Sequence, residues 1–593
     1  MVTVVNELGE RIEITDKIEM ENAILASNMS KFSQSFHTPC YQSPLKESLG
    51  FKGLSTGSQA ILAGAYKPSD NLNSYIVDML QQWEKPQSVR ELEPIDMSLT
   101  LEQYRYFWNK ANENISCYPS ALSFSMMKAG SFDPDISFLD WTMTKIPLDR
   151  GFSPIRGKHC LDVMILKKSG ITDLSGLRTI VLFPVDCNYA FKHVGRAMMK
   201  TAKQAKALAP EQYGSRKRHR SINLAVIKAL TFDILRQLKR PGAVCSNDVE
   251  SCYDLIGHTP ASISMQWVGV PRNIVNCLFT TLQEAVHQVR TGYGDSVNTY
   301  GGDVWLAPLH GIGQGNGAGP AIWAVVSTPL VSALRNKGFG CEILCPLSHS
   351  FFKFVGYAFV DDTDIIQSTL HDSPQDTMAI LQQAIDTWEK SLKLTCGAIV
   401  PEKTVWWLIH YKWEGSLWRY ASIEECPGAI QVDDLGGTRK TLKRLEPHQA
   451  YETLGVFLAP DGNYNDQIEK LTNLAVQWAD GMRTGRISRD EAWLAVSTTI
   501  WRSLSYPLAA MRLSKDQWEV IMAPVLRYCL PAMGICRNLS RQLTFSNLSF
   551  FGLGFKHLFT MQEITRIKDI IQHTWENTLT GQLYRASFEL IFY

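Results

Sequence analysis

Two adjacent aspartates, Asp361 and Asp362, lie within the otherwise apolar stretch YAFVDDTDII at residues 357–366. Burying such carboxylates without compensation is strongly unfavourable, so the pair requires cations or hydrogen-bond donors. Asp248 supplies a third carboxylate, because it follows the short apolar run GAVC where a strand is predicted to end. Carboxylates from adjacent strands can converge on two Mg²⁺ ions about 3.5–4 Å apart, which promotes in-line displacement at phosphorus. The residues therefore predict a metal-dependent site that a bound nucleotide would complete.

The elements around these carboxylates predict an α+β domain. The segment SFFKFVGYAFV is rich in aromatic and β-branched residues, and DDTD supplies turn formers, so a hairpin with the aspartates at its tip is expected. Helices are predicted over 271–292 and over 373–397, the second with a Ser cap, a Pro at its start and Gly397 at its end. The order strand, helix, strand–turn–strand, helix, strand from about 244 to 410 is typical of a split βαβ unit.

Further elements are predicted on both sides of this unit. LDVMIL and RTIVLF, near 160–185, indicate two strands of a hairpin, and a helix is expected to begin just after the basic cluster of 216–220. A second aspartate pair, at 433–434, is followed by Leu-Gly-Gly and is interpreted as a plain turn. Residues 1–95 mix short apolar pieces with Ser, Gly and Pro and are expected to form a partly irregular extension of unknown function.

Composition narrows the class of protein without naming its partner. Of the 593 residues, 45% are hydrophobic and 20% charged, which is ordinary for a folded globular chain. The net charge of +1 means that any nucleic-acid surface must be a local patch. Thirteen cysteines without Cys-x-x-Cys pairs and no apolar run of about 18 residues predict an intracellular protein without a membrane span. Nucleus and cytoplasm are not distinguished, and the oligomeric state is not predicted.

Seven segments, in order along the chain, resemble the reverse transcriptases, and the Leu-Gly-Val element among them suggests the non-LTR retrotransposon type. The finger-like segments are LRTIVLFPVDCN (177–188) and EQYG (211–214), and the palm-like and thumb-proximal segments are DVESCYD (248–254), GIGQGNGAGP (311–320), FVDD with PEKT (359–362 and 401–404) and YETLGVFL (451–458). The resemblance implies an RNA-directed DNA polymerase shaped like a right hand, with fingers, a split βαβ (ferredoxin-like) palm and a mainly helical C-terminal part. It implies an enzyme, a nucleotidyltransferase, that uses an RNA template, a DNA primer and dNTPs.

The resemblance also assigns roles to the carboxylates. It implies that Asp248 and Asp361 bridge two Mg²⁺ ions, with Mn²⁺ as the alternative, and that Asp362 assists at the same site. The primer 3′-hydroxyl would attack the α-phosphate of the incoming nucleotide, so that catalysis rests on positioning and electrostatics.

Nucleotide-binding residues follow from the same resemblance. Tyr253 matches the aromatic ring that excludes a 2′-hydroxyl, and Gln314 with Gly315 matches the Gln-Gly that approaches template and nucleotide closely. Arg178 matches the arginine that holds the phosphates, and Lys403 matches the lysine that stabilises or protonates pyrophosphate. Each of three residues also has a structural alternative. Tyr253 is then a core tyrosine, Arg178 forms a surface salt bridge, and Lys403 lies at a solvated strand end.

Nucleic-acid contacts are expected from the basic cluster and from the element that leads into the thumb. The residues assigned to them are Arg216, Lys217, Arg218, Arg220 and Gly455, with further backbone contacts from RKTLKR at 439–444. A solvated face or an import signal is the alternative for such a charge run.

The sequence departs from the family pattern at two places. Asn316-Gly317-Ala318-Gly319 replaces the usual Ser-Pro-Leu-Ser, which predicts a more flexible turn, while Phe359 and Val360 replace Tyr and Ala but remain apolar. The altered turn motivates one alternative, a decayed or domesticated protein that binds nucleic acid without polymerising. The other alternative is an RNA-directed RNA polymerase, which shares the palm chemistry.

The predicted organisation has four parts. They are an N-terminal extension (1–95), a helical lead-in with fingers (96–243), a palm (244–415), and a thumb with a helical C-terminal region (416–593). Neither a zinc knuckle nor the acidic constellation of ribonuclease H is recognised, and residues 1–95 are too few for an endonuclease. These missing domains and the ending SFELIFY leave open whether the chain is a fragment of a longer reading frame.

Overall fold

A computed structural model describes residues 1–5, 10–92, 95–119, 122–168, 170–250, 252–302, 308–370 and 373–593. The N-terminal part is mainly helical and contains β1 (Val2–Val5), β2 (Arg11–Ile14), α1 (Lys17–Phe32), α2 (Leu45–Leu49), α3 (Thr56–Leu62), α4 (Ser74–Gln81), α5 (Gln87–Arg90), α6 (Leu101–Asn109), α7 (Phe124–Gly130) and α8 (Pro134–Arg150).

The middle of the chain alternates strands and helices. Its elements are β3 (His159–Leu166), β4 (Leu177–Leu182), α9 (Val185–Gln204), α10 (Ser221–Leu238), β5 (Gly242–Asp248), α11 (Cys252–Leu255), α12 (His258–Trp267), α13 (Arg272–Gln283), β6 (Val286–Thr291), β7 (Gly294–Asp295), β8 (Tyr300–Gly301), α14 (Gly319–Asn336), β9 (Cys341–Leu344), β10 (Phe351–Phe354), β11 (Gly356–Phe359), β12 (Asp362–Gln367), α15 (Pro374–Leu394) and β13 (Val405–Ile409).

Short hairpins and then helices complete the chain. These are β14 (Tyr411–Glu414), β15 (Leu417–Tyr420), β16 (Gln431–Asp433), β17 (Arg439–Thr441), β18 (Lys443–Leu445), β19 (Tyr451–Thr453), β20 (Val456–Leu458), α16 (Asn465–Thr484), α17 (Arg489–Ala495), α18 (Trp501–Ser505), α19 (Lys515–Ala532), α20 (Arg541–Phe545), α21 (Leu558–Thr574) and α22 (Leu579–Phe592).

The central sheet has the strand order β11-β12-β5-β13-β18. Its first four strands are antiparallel neighbours, and their order agrees with the split βαβ arrangement predicted from the sequence. Apolar side chains alternate between the two faces, so that Cys245 belongs to the core on one side, whereas Val244 belongs to the core on the other. Because both faces are covered, strands such as β5 are apolar along most of their length.

The N-terminal helices pack against the same core as one face of this sheet. Leu49 and Trp83 are fully buried in it, and Trp83 Nε1 donates a hydrogen bond to Ser264 Oγ at 2.9 Å. Short helices separated by irregular segments make up this expected extension, and several of the helices bury one face.

A second sheet has the order β4-β3-β6-β7, with β8 also paired to β6. The hairpin predicted near 160–185 is confirmed as β3 and β4. The helix predicted over 271–292 is wrong in its second half, since α13 ends at Gln283 and β6 follows. Val286 and Val289 fit a helical period, but the parallel ladder with β3 satisfies their backbone and overrides that local pattern.

The C-terminal helices form a separate apolar core, but the last helix returns to the central sheet. Buried Leu471 and Trp518 belong to the separate core, whereas Leu583 of α22 packs with α10. Tyr213 Oη and Thr580 Oγ1 are joined by a 2.7 Å hydrogen bond. No helix in the part of the chain that the structure describes is long and apolar enough to cross a membrane.

Candidate active site

The two adjacent aspartates lie at the tip of a tight hairpin, as predicted. Phe359 pairs with Asp362, so that Val360 and Asp361 form a two-residue turn between β11 and β12. Val360 has a φ of 59°, in the left-handed region that a β-branched residue rarely adopts. Such a conformation costs about 1–3 kcal/mol and persists only where the surroundings impose it, often at functional sites.

Strand register brings the third aspartate to the same edge of the central sheet. Asp248, the last residue of β5, lies directly opposite Asp362 of β12. Because paired residues in an antiparallel sheet project from the same face, these two carboxylates are neighbours, with Asp361 one position away in the turn. Strand pairing therefore brings the three predicted aspartates to one edge of the sheet, and their role as metal ligands stays a prediction.

Electrostatics at this edge disfavour three negative charges without a counter-ion. Burial, with the charges of Asp361 and Asp248, raises the pKa of Asp362 to about 7. Burial also raises the pKa of Asp361, with the Asp248 charge adding to the effect. A cation binding here would remove this repulsion, and carboxylate oxygens are the donors that hard divalent cations prefer.

The aspartate side chains are not arranged as a complete set of metal ligands. No group of three or more His, Cys, Asp or Glu residues within the described ranges is arranged to hold an ion. Lys403 Nζ instead donates a hydrogen bond to Asp248 Oδ2 at 2.9 Å, although the lysine side chain is 65% exposed. Lys403 thus partly neutralises the site, and its partner is one of the predicted ligands rather than solvent alone.

A polar cavity of about 160 Å³ opens beside the aspartates. Its wall contains both facing strand ends together with the β19 strand, namely Ser246, Asn247, Asp248, Asp362, Thr363, Asp364, Lys403, Tyr451, Glu452 and Thr453. Asp248, Asp361 and Asp362 are each only partly buried. The site is therefore accessible from solvent.

Tyr253, the residue predicted to meet the sugar of the nucleotide, lies close enough to Asp361 for their charges to interact. The ring of Tyr253 lies against Gly319, where an added Cβ would be 3.6 Å from Tyr253 Cδ1. Tyr253 is half-buried, and Ile312 N donates to its carbonyl oxygen at 2.8 Å. Tyr253, on α11, thus packs against the start of α14 and borders the apolar core while remaining partly exposed.

Gln314 and Gly315 are fixed by the second sheet. Gln314 O accepts a hydrogen bond from Val181 N at 2.7 Å, and a Cβ on Gly315 would lie 2.3 Å from Val181 O. Gly315 also has a φ of 120°. Contact with β4 therefore requires glycine here, in addition to any approach of template and nucleotide.

Side-chain hydrogen bonds hold the turn after Gly315, which the sequence predicts to be flexible. Asn188 Oδ1 accepts a hydrogen bond from Gly317 N at 2.7 Å, and Asn188 Nδ2 donates to Gly315 O at 3.1 Å. Asn316 Oδ1 accepts from Ala318 N at 2.8 Å. The glycine-rich replacement is thus compensated by contacts from α9.

Two predicted cations act on the aspartates: the charge of Arg178 acts on Asp361, and Lys403 binds Asp248. Two neighbouring lysines, Lys167 and Lys31, were missed by sequence reasoning. Arg178 is exposed on β4 and has no salt bridge to a residue that the structure describes, which disfavours the surface-pair alternative. Burial, followed by the charges of Lys31, Lys403 and Arg178, lowers the pKa of Lys167. Lys31 of α1 donates a hydrogen bond to the buried carboxylate of Asp254.

The predicted nucleic-acid contacts divide into two kinds. Arg216 donates to the carbonyl oxygens of Ala209 and Gln212, both at 3.1 Å, and Arg220 binds Asp569 at 3.0 Å. Both arginines thus bind other residues of the protein. The side chains of Lys217 and Arg218, in contrast, are exposed.

Gly455 lies in the β19–β20 turn with a φ of 89°. An added Cβ would be 3.2 Å from Tyr506 Cε1, and Lys470 Nζ donates to Gly455 O at 2.9 Å. The turn conformation and the nearby Tyr506 ring therefore explain a glycine at this position without a contact to nucleic acid.

A buried ion pair beneath the site was also missed. Lys228 of α10 is fully buried and donates hydrogen bonds to Asp364 Oδ1, Ser246 Oγ and Thr453 Oγ1 at 2.8, 2.6 and 2.9 Å. Asp364 shares a face with Asp362, two residues away on β12. The signal was a lysine inside the apolar helical pattern INLAVIKAL together with the alternating aspartates of DDTD.

Comparison with known protein families gives one match. Residues 165–456, just under half of the chain, match the family model described as "Reverse transcriptase (RNA-dependent DNA polymerase)". This range includes the three aspartates, both predicted finger segments and the β19–β20 turn. No curated protein matches the chain.

Proposed function

We propose that this protein is an RNA-directed DNA polymerase of the non-LTR retrotransposon type, which joins a dNTP to a primer 3′-hydroxyl. The observation that carries the proposal is the meeting of Asp248, Asp361 and Asp362 at one sheet edge, inside the segment that matches the reverse-transcriptase family. In this proposal the central sheet is the palm, residues 96–243 include the fingers, and residues 416–593 contain the thumb.

The three aspartates would hold divalent cations, with Mg²⁺ as the expected ion. When bound, such ions would lower the pKa of the primer hydroxyl and neutralise charge on the departing pyrophosphate. Burial, together with repulsion from neighbouring carboxylates, raises the pKa values of Asp361 and Asp362, and this supports the assignment because cation binding would relieve the repulsion. Lys403, paired with Asp248 here, would be released to meet the phosphates.

The incoming nucleotide would lie between Tyr253 and the cations Arg178 and Lys403. The exposed guanidinium of Arg178 is suited to a multi-oxygen anion because its donors are planar and fixed. Among the residues predicted to contact nucleic acid, Lys217 and Arg218 have exposed side chains and are assigned to the backbone of template or primer.

Primer extension tests the function directly. The wild-type chain, given a primed RNA template, dNTPs and Mg²⁺, is expected to make a product whose length depends on the template and which is abolished by EDTA. Binding of the primed template without any extension would select the alternative of a decayed nucleic-acid-binding protein.

Nucleotide choice gives a second test. Tyr253→Ala is expected to raise the efficiency of rNTP incorporation relative to dNTP by at least about 10-fold, because the ring that would meet a 2′-hydroxyl is removed. The measurement is kcat/KM for matched dNTP and rNTP, with Tyr293→Ala, an exposed tyrosine on the β6–β7 turn, as the control. An enzyme that already prefers rNTPs would be an RNA-directed RNA polymerase instead.

A further inference from the structure

The turn that carries Asp361 depends on groups outside its own hairpin. Val360 has a positive φ, and neither glycine nor asparagine, the usual residues for this conformation in two-residue turns, is present. A valine should relax from this conformation unless neighbouring groups hold it. The surroundings of the Val360 backbone therefore determine where Asp361 points.

Gln212 provides the main contact to this backbone. Its Oε1 accepts hydrogen bonds from Val360 N at 3.1 Å and from Gly214 N at 2.8 Å. Its Nε2 donates to Ser327 Oγ at 3.1 Å and lies 3.5 Å from Val360 O. The side chain is fully buried, so water does not compete for these bonds.

Trp323 of α14 completes the contact, because its Nε1 donates to Val360 O. Both backbone polar groups of Val360 are therefore bound by side chains from other elements. Ser327, the second partner of Gln212, lies one helical turn from Trp323 on the same helix. The turn is thus tied to α14 from two directions.

The segment that carries Gln212 is itself fixed against the hairpin. Tyr213 N donates to Ala358 O at 2.7 Å and Ala358 N donates to Glu211 O at 2.9 Å, so the segment runs as a short extra strand beside β11. A Cβ on Gly214 would lie 2.6 Å from Val360 N, which explains the glycine. Arg335 holds Glu211 at 2.6 Å.

We infer that Gln212, assisted by Trp323, is a positioning residue that holds Val360 in its left-handed conformation and thereby directs the Asp361 carboxylate towards Asp248. The inference rests on the proposed polymerase function for its kinetic readout, and on backbone geometry alone for its structural readout. An amide is required because the site needs a donor and an acceptor together, which neither Glu nor Met supplies.

A double-mutant cycle tests this role. Gln212→Met is expected to lower kcat for primer extension by about 10²-fold, the effect of a misplaced reacting group, with little change in KM for the primed template. In the Val360→Gly background the same substitution is expected to lower kcat by less than about fivefold, because glycine adopts positive φ without help.

A buried glutamine elsewhere provides the matched control. Gln266 is 2% exposed, and its amide hydrogen-bonds with Gly53, Gln59 and Ser262, none of which belongs to the hairpin. Gln266→Met should have the same effect on kcat in both backgrounds. Equal losses for Gln212→Met in both backgrounds would mean a general structural role and would overturn the inference.

Hydrogen exchange separates failure of this inference from failure of the proposed function. In the full chain, the Val360 amide is expected to exchange slowly, and Gln212→Met should accelerate it by at least about 10-fold because its acceptor is lost. An inactive wild-type protein would refute the polymerase proposal while leaving this measurement valid. Unchanged exchange of the Val360 amide would overturn the positioning role.

Discussion

Asp361→Asn is expected to reduce primer extension by at least about 10³-fold, because a ligand that stabilises transition-state charge by several kcal/mol is lost. The side chain keeps its size, and its position in the two-residue turn is set by backbone contacts that the substitution does not touch. The measurement is kcat for single-nucleotide addition at saturating Mg²⁺.

Although Asp361→Asn is expected to lower activity, it is not expected to lower the stability of the fold. Burial and the Asp248 charge raise the pKa of Asp361, so its ionised form opposes folding at neutral pH when no cation is bound. Removing that charge should leave the melting temperature in EDTA equal to or above that of the wild type. A variant that is inactive because it is unfolded would show the reverse.

The second aspartate pair supplies the matched control. Asp434 lies in the turn between β16 and β17, where its Oδ1 accepts a hydrogen bond from Thr438 N at 2.8 Å. Asp434→Asn should leave primer extension within about twofold, as for a surface substitution. Extension by Asp361→Asn at the level of Asp434→Asn would remove the aspartate from the proposed mechanism.

The parts of the fold that could be predicted are those whose pattern is local. The Ser373 cap and the apolar face of α15 define that helix from the sequence alone, and the structure confirms it over Pro374–Leu394. The hairpin with Asp361 at its tip follows in the same way, because turn formers interrupt a β-branched run.

Prediction failed where residues far apart in the sequence determine the local structure or the side-chain contacts. β6 could continue α13 by its periodicity, and only the neighbouring edge of β3 makes it a strand. Lys31 reaches Asp254 across 223 positions, a distance at which one sequence offers no signal of contact. The positioning role inferred for Gln212 was equally invisible, since it depends on how close EQYG runs to the hairpin.

Lys228→Met is expected to destabilise the protein by about 3–5 kcal/mol, because it leaves the buried carboxylate of Asp364 without its cation. Lys228 has no exposed side-chain area and Asp364 has 5%, so water cannot replace the lost partner. The measurement is the shift in urea-induced unfolding. Lys515→Met, which breaks an exposed pair with Glu519, should shift unfolding by less than about 1 kcal/mol.

Removing both charges tests whether the protein needs the Lys228–Asp364 ion pair or needs only to avoid an unpaired buried charge. Lys228→Met with Asp364→Leu should recover much of the lost stability, since replacing a buried ion pair by apolar groups is often close to neutral. The Asp364 charge raises the pKa of Asp362 and the Lys228 charge lowers it, so removing both leaves Asp362 nearer its original balance than removing the lysine alone. Primer extension should therefore also recover in the double variant. If stability returned but extension did not, the pair would instead be needed to hold β5 and β12 in register at the aspartates.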